Sequence, residues 1–263
     1  MSQVVISKDG TRIAFERRGK GTPVILVDGS MSSRAFGPMR PLAAELSKHF
    51  TVYAYDRRGR GESTDTHPYA AEREIEDIDA LIVEAGGSGY LFGISSGAVL
   101  ALKAAARLGT AKVLKLAVYE PPFNSDDDKA KEDFARFTRH MAELLKADRR
   151  GDAVAFFLSD ILPPKGLEEM RRSPEWLIME ELAPTLAYDN AVMGDGSVPA
   201  EAAKYATMST LIIDGSESLA FLREAAGFLA KAMPHAERKT LEGQTHNPSP
   251  EVLAPALASF YNA

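Results

Sequence analysis

Strand-like segments alternate with single helix-like segments along most of the chain. Residues 24–27 are entirely apolar, which is typical of a strand buried on both faces of a sheet. Residues 70–84 instead carry Ile75, Ile78 and Leu81 at helical spacing, with acidic residues between them. Strands joined through single helices run parallel to one another. The alternation therefore predicts an α/β fold with a doubly wound, mostly parallel sheet.

The same patterns define the other elements. The predicted strands cover residues 4–7, 13–17, 24–27, 51–55, 90–94, 113–119, 210–213 and 238–241. The predicted helices cover residues 38–48, 70–84, 96–108, 129–146, 152–162, 174–186, 220–233 and 252–261. An Asp9-Gly10 turn separates the first two strands and predicts an antiparallel hairpin.

The region between Pro121 and about Ala206 interrupts this alternation. It contains helical segments broken by proline, at Pro163-Pro164 and at Pro184, and no convincing strand. We expect residues 121–206 to form a helical cap over the carboxyl ends of the strands, where ligands bind in open α/β folds. Residues 1–120 and 207–263 then form the core.

Composition limits the function classes. A chain of 263 residues with 45% hydrophobic content is long enough for one large α/β domain with an insertion. A formal net charge of −6 gives no basic surface for nucleic acid. The absence of cysteine excludes disulfides, thiolate metal sites and a cysteine nucleophile. With no leader pattern and no apolar run near membrane-spanning length, we expect a cytoplasmic protein without membrane association. Oligomeric state is left open.

The segment Gly93-Ile94-Ser95-Ser96-Gly97 lies where a predicted strand meets a predicted helix. In a G-x-S-x-G turn the serine adopts strained backbone geometry, and only small residues fit two positions to either side. The serine hydroxyl is then held out of the sheet beside the positive end of the following helix. The motif predicts that Ser95 is a nucleophile.

Four segments together resemble the α/β-hydrolase superfamily, and the resemblance covers nearly the whole chain. They are Val24-Ile25-Leu26-Val27-Asp28-Gly29, Tyr55-Asp56-Arg57-Arg58-Gly59-Arg60-Gly61-Glu62-Ser63, the Gly93-to-Gly97 turn and Leu241-Glu242-Gly243-Gln244-Thr245-His246. The resemblance implies an eight-stranded core, a cap after strand six, and a triad in the chain order Ser, acid, His. It also implies that the Asp56-to-Arg60 run braces loops, so we leave that run out of the site.

The general base is chosen from the five histidines of the chain. Only His246 follows the last predicted strand, in a loop from which a side chain can reach over the sheet edge. Imidazole exchanges protons near neutral pH, as activation of a serine hydroxyl requires. Its chain position also matches the order that the resemblance implies. We therefore expect His246 to be the general base.

The acid has more than one candidate. The commonest arrangement in the superfamily places an aspartate a few residues beyond strand seven, where this chain has Ser218. Asp214 and Glu217 are nearby alternatives. We favour Glu120, at the carboxyl end of strand six. In this it is similar to some haloalkane dehalogenases and to the fungal lactonases that open resorcylic macrolides, which use a glutamate at that place. The acid would accept the second imidazole N–H and stabilise the imidazolium.

Other parts of the predicted site follow from the resemblance. The oxyanion hole would use the backbone N–H groups of Ser30 and Ser96, with Gly29 allowing close approach. Asp28-Gly29 replaces the His-Gly usual in the superfamily and is similar to the Asp-Gly of the macrolide lactonases. Apolar residues of the cap and its surroundings are expected to line the substrate pocket: Met31, Phe123, Trp176, Met179 and Tyr188.

A serine nucleophile suits acyl transfer, whereas the dehalogenases and epoxide hydrolases of the superfamily attack with an aspartate. The sequence therefore predicts a hydrolase of a small-molecule carboxylic ester or lactone that needs no metal or organic cofactor. Two alternatives stay open. One is a non-hydrolytic enzyme of the same fold, such as a C–C bond hydrolase, a hydroxynitrile lyase or a cofactor-free oxygenase. The other is a small-molecule receptor or binding module.

Overall fold

The computed structural model describes residues 2–263 and contains one eight-stranded sheet. The strands are β1 (Gln3–Ile6), β2 (Arg12–Arg18), β3 (Pro23–Val27), β4 (Thr51–Tyr55), β5 (Gly89–Ile94), β6 (Val113–Tyr119), β7 (Ser209–Gly215) and β8 (Glu237–Leu241). Their order in the sheet is β1-β2-β4-β3-β5-β6-β7-β8. β2 pairs antiparallel with β1 and with β4, and all other neighbours are parallel. The predicted fold class is confirmed.

Helices cover both faces of this sheet. Those of the core are α1 (Met39–Leu46), α2 (Ala71–Glu84), α3 (Ser96–Leu108), α10 (Ala220–Ala232) and α11 (Pro250–Asn262). Alternate residues of β3 point to opposite sides, so Val24 belongs to the apolar cluster that includes α1 and α11, while Ile25 belongs to the one that includes α2, α3 and α10. Both side chains are fully buried, which explains why this strand is entirely apolar. Among residues 2–263, no helix is both long and apolar enough to cross a bilayer.

The segment between β6 and β7 consists of helices and the loops that join them, without a strand among the described residues. Its helices are α4 (Asp128–Lys146), α5 (Arg150–Leu158), α6 (Pro164–Arg171), α7 (Glu175–Leu182), a 3-10 turn (Ala183–Thr185), α8 (Leu186–Met193) and α9 (Ala200–Tyr205). The predicted helix over residues 174–186 is divided, because Pro184 has no N–H to continue the α-helical bonding. The assignment of residues 121–206 to a cap domain of its own stays a prediction.

Candidate active site

Ser95 lies between β5 and α3 with φ 56° and ψ −130°, a conformation that non-glycine residues rarely adopt. Its N–H donates to the Tyr119 carbonyl at 2.9 Å. The flanking glycines are required by close packing. A Cβ on Gly93 would lie 2.7 Å from Ala98 Cα, and one on Gly97 would lie 2.7 Å from the carbonyl carbon of Asp28. The tight turn therefore holds the hydroxyl at the carboxyl end of the sheet.

Glu120 and His246 form a hydrogen-bonded pair beside this turn. Glu120 directly follows β6 and is fully buried with φ 46°, and its N–H donates to the Ile213 carbonyl at 3.0 Å. One carboxylate oxygen accepts the Gly215 N–H at 2.8 Å, and the other lies 2.6 Å from His246 Nδ1. A carboxylate at Nδ1 fixes the proton there and leaves Nε2 as the proton acceptor.

The alternative acids occupy other environments. Asp214 lies on β7 and is buried, but its carboxylate receives hydrogen bonds from the Arg238 guanidinium, the Nε contact being 3.1 Å. Glu217 is exposed. Of the three candidate acids in the described residues, only Glu120 contacts His246.

Ser95 and His246 line the same cavity, which has a volume of about 440 Å³. No hydrogen bond joins their side chains within residues 2–263; such contacts often tighten only when substrate is bound. The other lining groups include Ser30, Ser96 and four phenylalanines, which are Phe134, Phe137, Phe157 and Phe221. The cavity thus combines a nucleophile and a base with an apolar wall, as a small-molecule site does.

The five side chains predicted to line the pocket do not line it in the described structure. Met31, Trp176 and Met179 pack into the apolar cluster formed by α4, α5 and α7. Phe123 is buried against the core on the α2 and α3 side. Tyr188 turns to the outside of α8, where its ring stacks on Tyr69 at 3.8 Å between centroids. Apolar character alone did not indicate which face of each helix would meet the pocket.

The predicted oxyanion-hole residues lie where their N–H groups could serve that role. Ser30 and Ser96 both line the pocket beside Ser95. Ser96 is the first residue of α3, so its N–H has no acceptor within the helix. Gly29 is in close contact with the elbow, since a Cβ there would lie only 3.0 Å from Ser95 Cβ. The loop after β3 therefore packs against the Ser95 turn so closely that a side chain at position 29 would require its neighbours to shift.

A buried charge cluster beneath this loop contains Arg57 and Arg60, which belong to the run expected to brace loops, but its acidic member Asp189 was not predicted. Asp189 on α8 accepts hydrogen bonds from Arg57 Nη1 and Arg60 Nη2, each at 2.7 Å, and from Ser96 Oγ at 2.8 Å. Ser96 Oγ in turn accepts from Ser30 Oγ at 3.1 Å. Burial by itself would raise the pKa of Asp189, but the charges of Arg60 and Arg57 outweigh it and hold the pKa below its ordinary value. The cluster joins the helical segment to both candidate oxyanion residues.

Asp28 is a second buried carboxylate at this loop. One oxygen accepts the Gly29 N–H at 2.9 Å, and the other has no hydrogen-bond partner within residues 2–263. Burial raises the pKa of Asp28 to about 7, against the smaller opposing effect of the Gly29 hydrogen bond. A neutral carboxylic acid is therefore present here below neutral pH.

Within the described residues, neither the larger cavity nor any group of potential metal ligands offers a competing functional site. A larger and more open cavity of about 780 Å³ lies between α2, α3 and α9, and its lining includes neither serine nor histidine. Within residues 2–263, no group of three or more histidine, aspartate or glutamate side chains is arranged to hold a metal ion.

Comparison with known proteins agrees with this fold. The model of the alpha/beta hydrolase family matches residues 24–256. The solved structure of an alpha/beta hydrolase from Sphaerobacter thermophilus DSM 20745 is 47% identical, covers 98% of this chain and 100% of its own, and has a TM-score of 0.88. A thermophilic esterase from Thermogutta terrifontis, solved with malate bound, is 21% identical over 100% of this chain and 98% of its own, with a TM-score of 0.76, and shows the fold alone.

The uncharacterized hydrolase YraK from Bacillus subtilis (strain 168) is 32% identical over 97 residues. This match spans only 35% of each chain. The family match and the Sphaerobacter structure, by contrast, extend over most or all of the sequence. The chain therefore belongs to the alpha/beta hydrolase family.

Proposed function

We propose that this protein is a serine hydrolase that cleaves a carboxylic ester or lactone through an acyl-enzyme. The observation that carries the proposal is the 2.6 Å contact between His246 Nδ1 and Glu120, in a histidine that shares one cavity with the strained Ser95. A serine hydroxyl is a weak nucleophile until a base takes its proton, and an oriented imidazole supplies that base.

In the proposed acylation, Ser95 Oγ attacks the carbonyl carbon while its proton moves to His246 Nε2. The Glu120 carboxylate stabilises the imidazolium that forms. The oxyanion of the tetrahedral intermediate accepts hydrogen bonds from the N–H groups of Ser30 and Ser96. As the intermediate collapses, the C–O bond breaks and His246 returns the proton to the leaving alkoxide.

Deacylation reverses these roles. Water gives a proton to His246 Nε2 and attacks the acyl carbon, and a second tetrahedral intermediate collapses to release the carboxylic acid. The proton then returns to Ser95 Oγ. Every step uses side chains of this chain and water. The similarity of Asp28-Gly29 to the macrolide lactonases favours lactones among the substrates to be tested.

The test is intact-mass labelling with a fluorophosphonate probe, on the wild type and on Ser95→Ala. Hydrolysis of a p-nitrophenyl ester series and of several lactones is measured in parallel. We expect one adduct on the wild type, none on the variant, and ester turnover that the variant lacks. An unlabelled wild type without turnover would refute the proposal. If ligands nevertheless raised the melting temperature of Ser95→Ala without being converted by the wild type, a binding module would be favoured.

A further inference from the structure

The candidate pocket has an apolar wall on both of its sides. On one side Phe134 and Phe137 of α4 stack with centroids 6.2 Å apart, and Phe157 of α5 adjoins them. On the other side, Leu219 and Phe221 follow β7 and are each 45% exposed. The inner wall is aromatic and the rim carries exposed apolar side chains. These surfaces favour an aryl or branched alkyl group on the substrate.

The charged groups of the pocket are all acidic apart from the candidate base. Among the described lining residues there is no lysine and no arginine. The three carboxylates differ in their partners. Asp189 is held between Arg57 and Arg60, and Asp133 accepts from Lys129 Nζ at 2.6 Å.

Asp160 is the exception, because no hydrogen bond or ion pair engages its side chain within residues 2–263. It is exposed and lies just after α5, next to Ile161 on the pocket rim. Its charge is therefore not neutralised by an ion pair with a neighbouring cation, and it belongs to the lining of the candidate pocket.

Resting on the function proposed above, we propose that the site takes uncharged esters or lactones with an aryl or branched alkyl group, and that Asp160 rejects substrates carrying a carboxylate. A bound carboxylate would lose hydration, meet no cation, and lie near a like charge.

The test compares two p-nitrophenyl esters of nearly equal size. One is the neutral 5-methylhexanoate, and the other is the hydrogen glutarate, whose terminal carboxylate replaces the isopropyl group. The rates of spontaneous hydrolysis are subtracted. We expect kcat/KM of the wild type to favour the neutral ester by at least roughly tenfold, since the anion lacks any partner in the pocket.

Substitutions of Asp160 test whether this residue causes the preference for the neutral ester. Asp160→Asn should lower the ratio of neutral to anionic kcat/KM by roughly fivefold, and Asp160→Lys should lower it further, as expected for charges a few ångströms apart near a surface. In the wild type, the ratio of neutral to anionic kcat/KM should rise when the ionic strength is lowered, because salt then screens the repulsion between Asp160 and the anionic ester less. The matched control is Glu84→Gln, which removes one exposed acid at the end of α2 and should leave the ratio unchanged.

Two results would overturn the inference while leaving the proposed function intact. They are equal kcat/KM for the two esters in a wild type that a fluorophosphonate labels at Ser95, and an Asp160→Asn ratio equal to that of the wild type. A wild type that neither reacts with the probe nor hydrolyses any ester refutes the proposed function instead. In that case, tighter binding of the neutral ester than of the anionic one to Ser95→Ala would still support the charge selection, and equal binding would overturn it.

Discussion

Replacing Asp189 by asparagine is expected to destabilise the protein far more than a surface substitution of the same kind. Asp189 comes from α8 and is the carboxylate shared by two fully buried arginines of the core. Asparagine keeps the volume and one acceptor oxygen but removes the charge. The two guanidinium groups would then share less negative charge in a region that water does not reach.

The size of the effect depends on what each arginine retains. Arg57 keeps a two-bond contact with Glu74, with Nε and Nη2 each 2.7 Å from a carboxylate oxygen. Arg60 forms no second ion pair among the described residues and keeps only backbone carbonyls, those of Gly29 and Ser32. Removing one partner of a buried pair costs about 3–5 kcal/mol. Because one arginine stays paired and one acceptor remains, we take the lower end, about 3 kcal/mol.

For a chain of this length, 1 kcal/mol corresponds to about 2–4 °C in the melting temperature, so Asp189→Asn should lower it by about 6–12 °C. Differential scanning calorimetry at neutral pH measures this. The control is Asp152→Asn, which removes an exposed carboxylate 2.8 Å from Arg149 Nε and should shift the melting temperature by less than about 2 °C. Equal shifts in the two variants would refute the account of the cluster.

A compensating variant separates lost charge from lost packing. Arg60→Met combined with Asp189→Leu removes both members of the pair and leaves apolar groups of similar length. Such replacements of buried ion pairs are often neutral or stabilising. The double variant should therefore be more stable than Asp189→Asn, although it also gives up the hydrogen bond from Ser96 and those from Arg60 to the Gly29 and Ser32 carbonyls. A double variant less stable than the single one would show that packing, and not the unpaired charge, controls the site.

Three further predictions concern the site. In ester hydrolysis, Glu120→Gln should lower kcat by roughly 10⁴-fold because the imidazole of His246 loses its orienting charge, whereas Asp214→Asn should keep kcat within roughly tenfold of the wild type. The reverse pattern would contradict the assignment of Glu120 as the acid. Burial raises the pKa of Asp28 from 3.8 to about 7, so folding takes up a proton between these pH values and the free energy of unfolding falls as pH rises through them. Urea unfolding of Asp28→Asn across this pH range should lack that fall, which is worth at most about 4 kcal/mol, and an unchanged pH dependence would argue against the assignment. Gly97→Ala should destabilise the fold by several kcal/mol, since its Cβ collides with backbone that cannot move, and near wild-type urea stability would count against the packing described.

The sequence predicted the sheet well because strand patterns are local. Residues 24–27 and 113–119 were recognised from apolar runs that a doubly covered sheet requires, and the structure has strands at both places. The candidate acid could be proposed for a related reason. Glu120 directly follows a strand, and the carboxyl ends of parallel strands meet at one edge of the sheet, so its closeness to the Gly93-to-Gly97 turn follows from topology alone.

The pocket lining and the charge cluster depend instead on contacts that no local pattern encodes. Arg60 and Asp189 are 129 residues apart, and nothing in the sequence around Asp189 distinguishes it from an exposed helical acid. Likewise, Phe134 faces the pocket while Trp176 faces away because of how α4 to α8 pack against one another. Crossing angles and rotations of short helices are set by the assembled core.

The position of Glu120 directly after β6 has a consequence for how the protein can diversify. With the candidate acid anchored at the end of a central strand, the loop after β7 carries no part of the proposed triad. That loop and the first turn of α10 instead supply Leu219 and Phe221 to the pocket rim. Substitutions there alter which substrate fits without displacing the reacting groups. Substrate choice and chemistry are thus encoded in separate stretches of chain, so a new specificity can be selected in the loop while the machinery for bond cleavage is inherited unchanged.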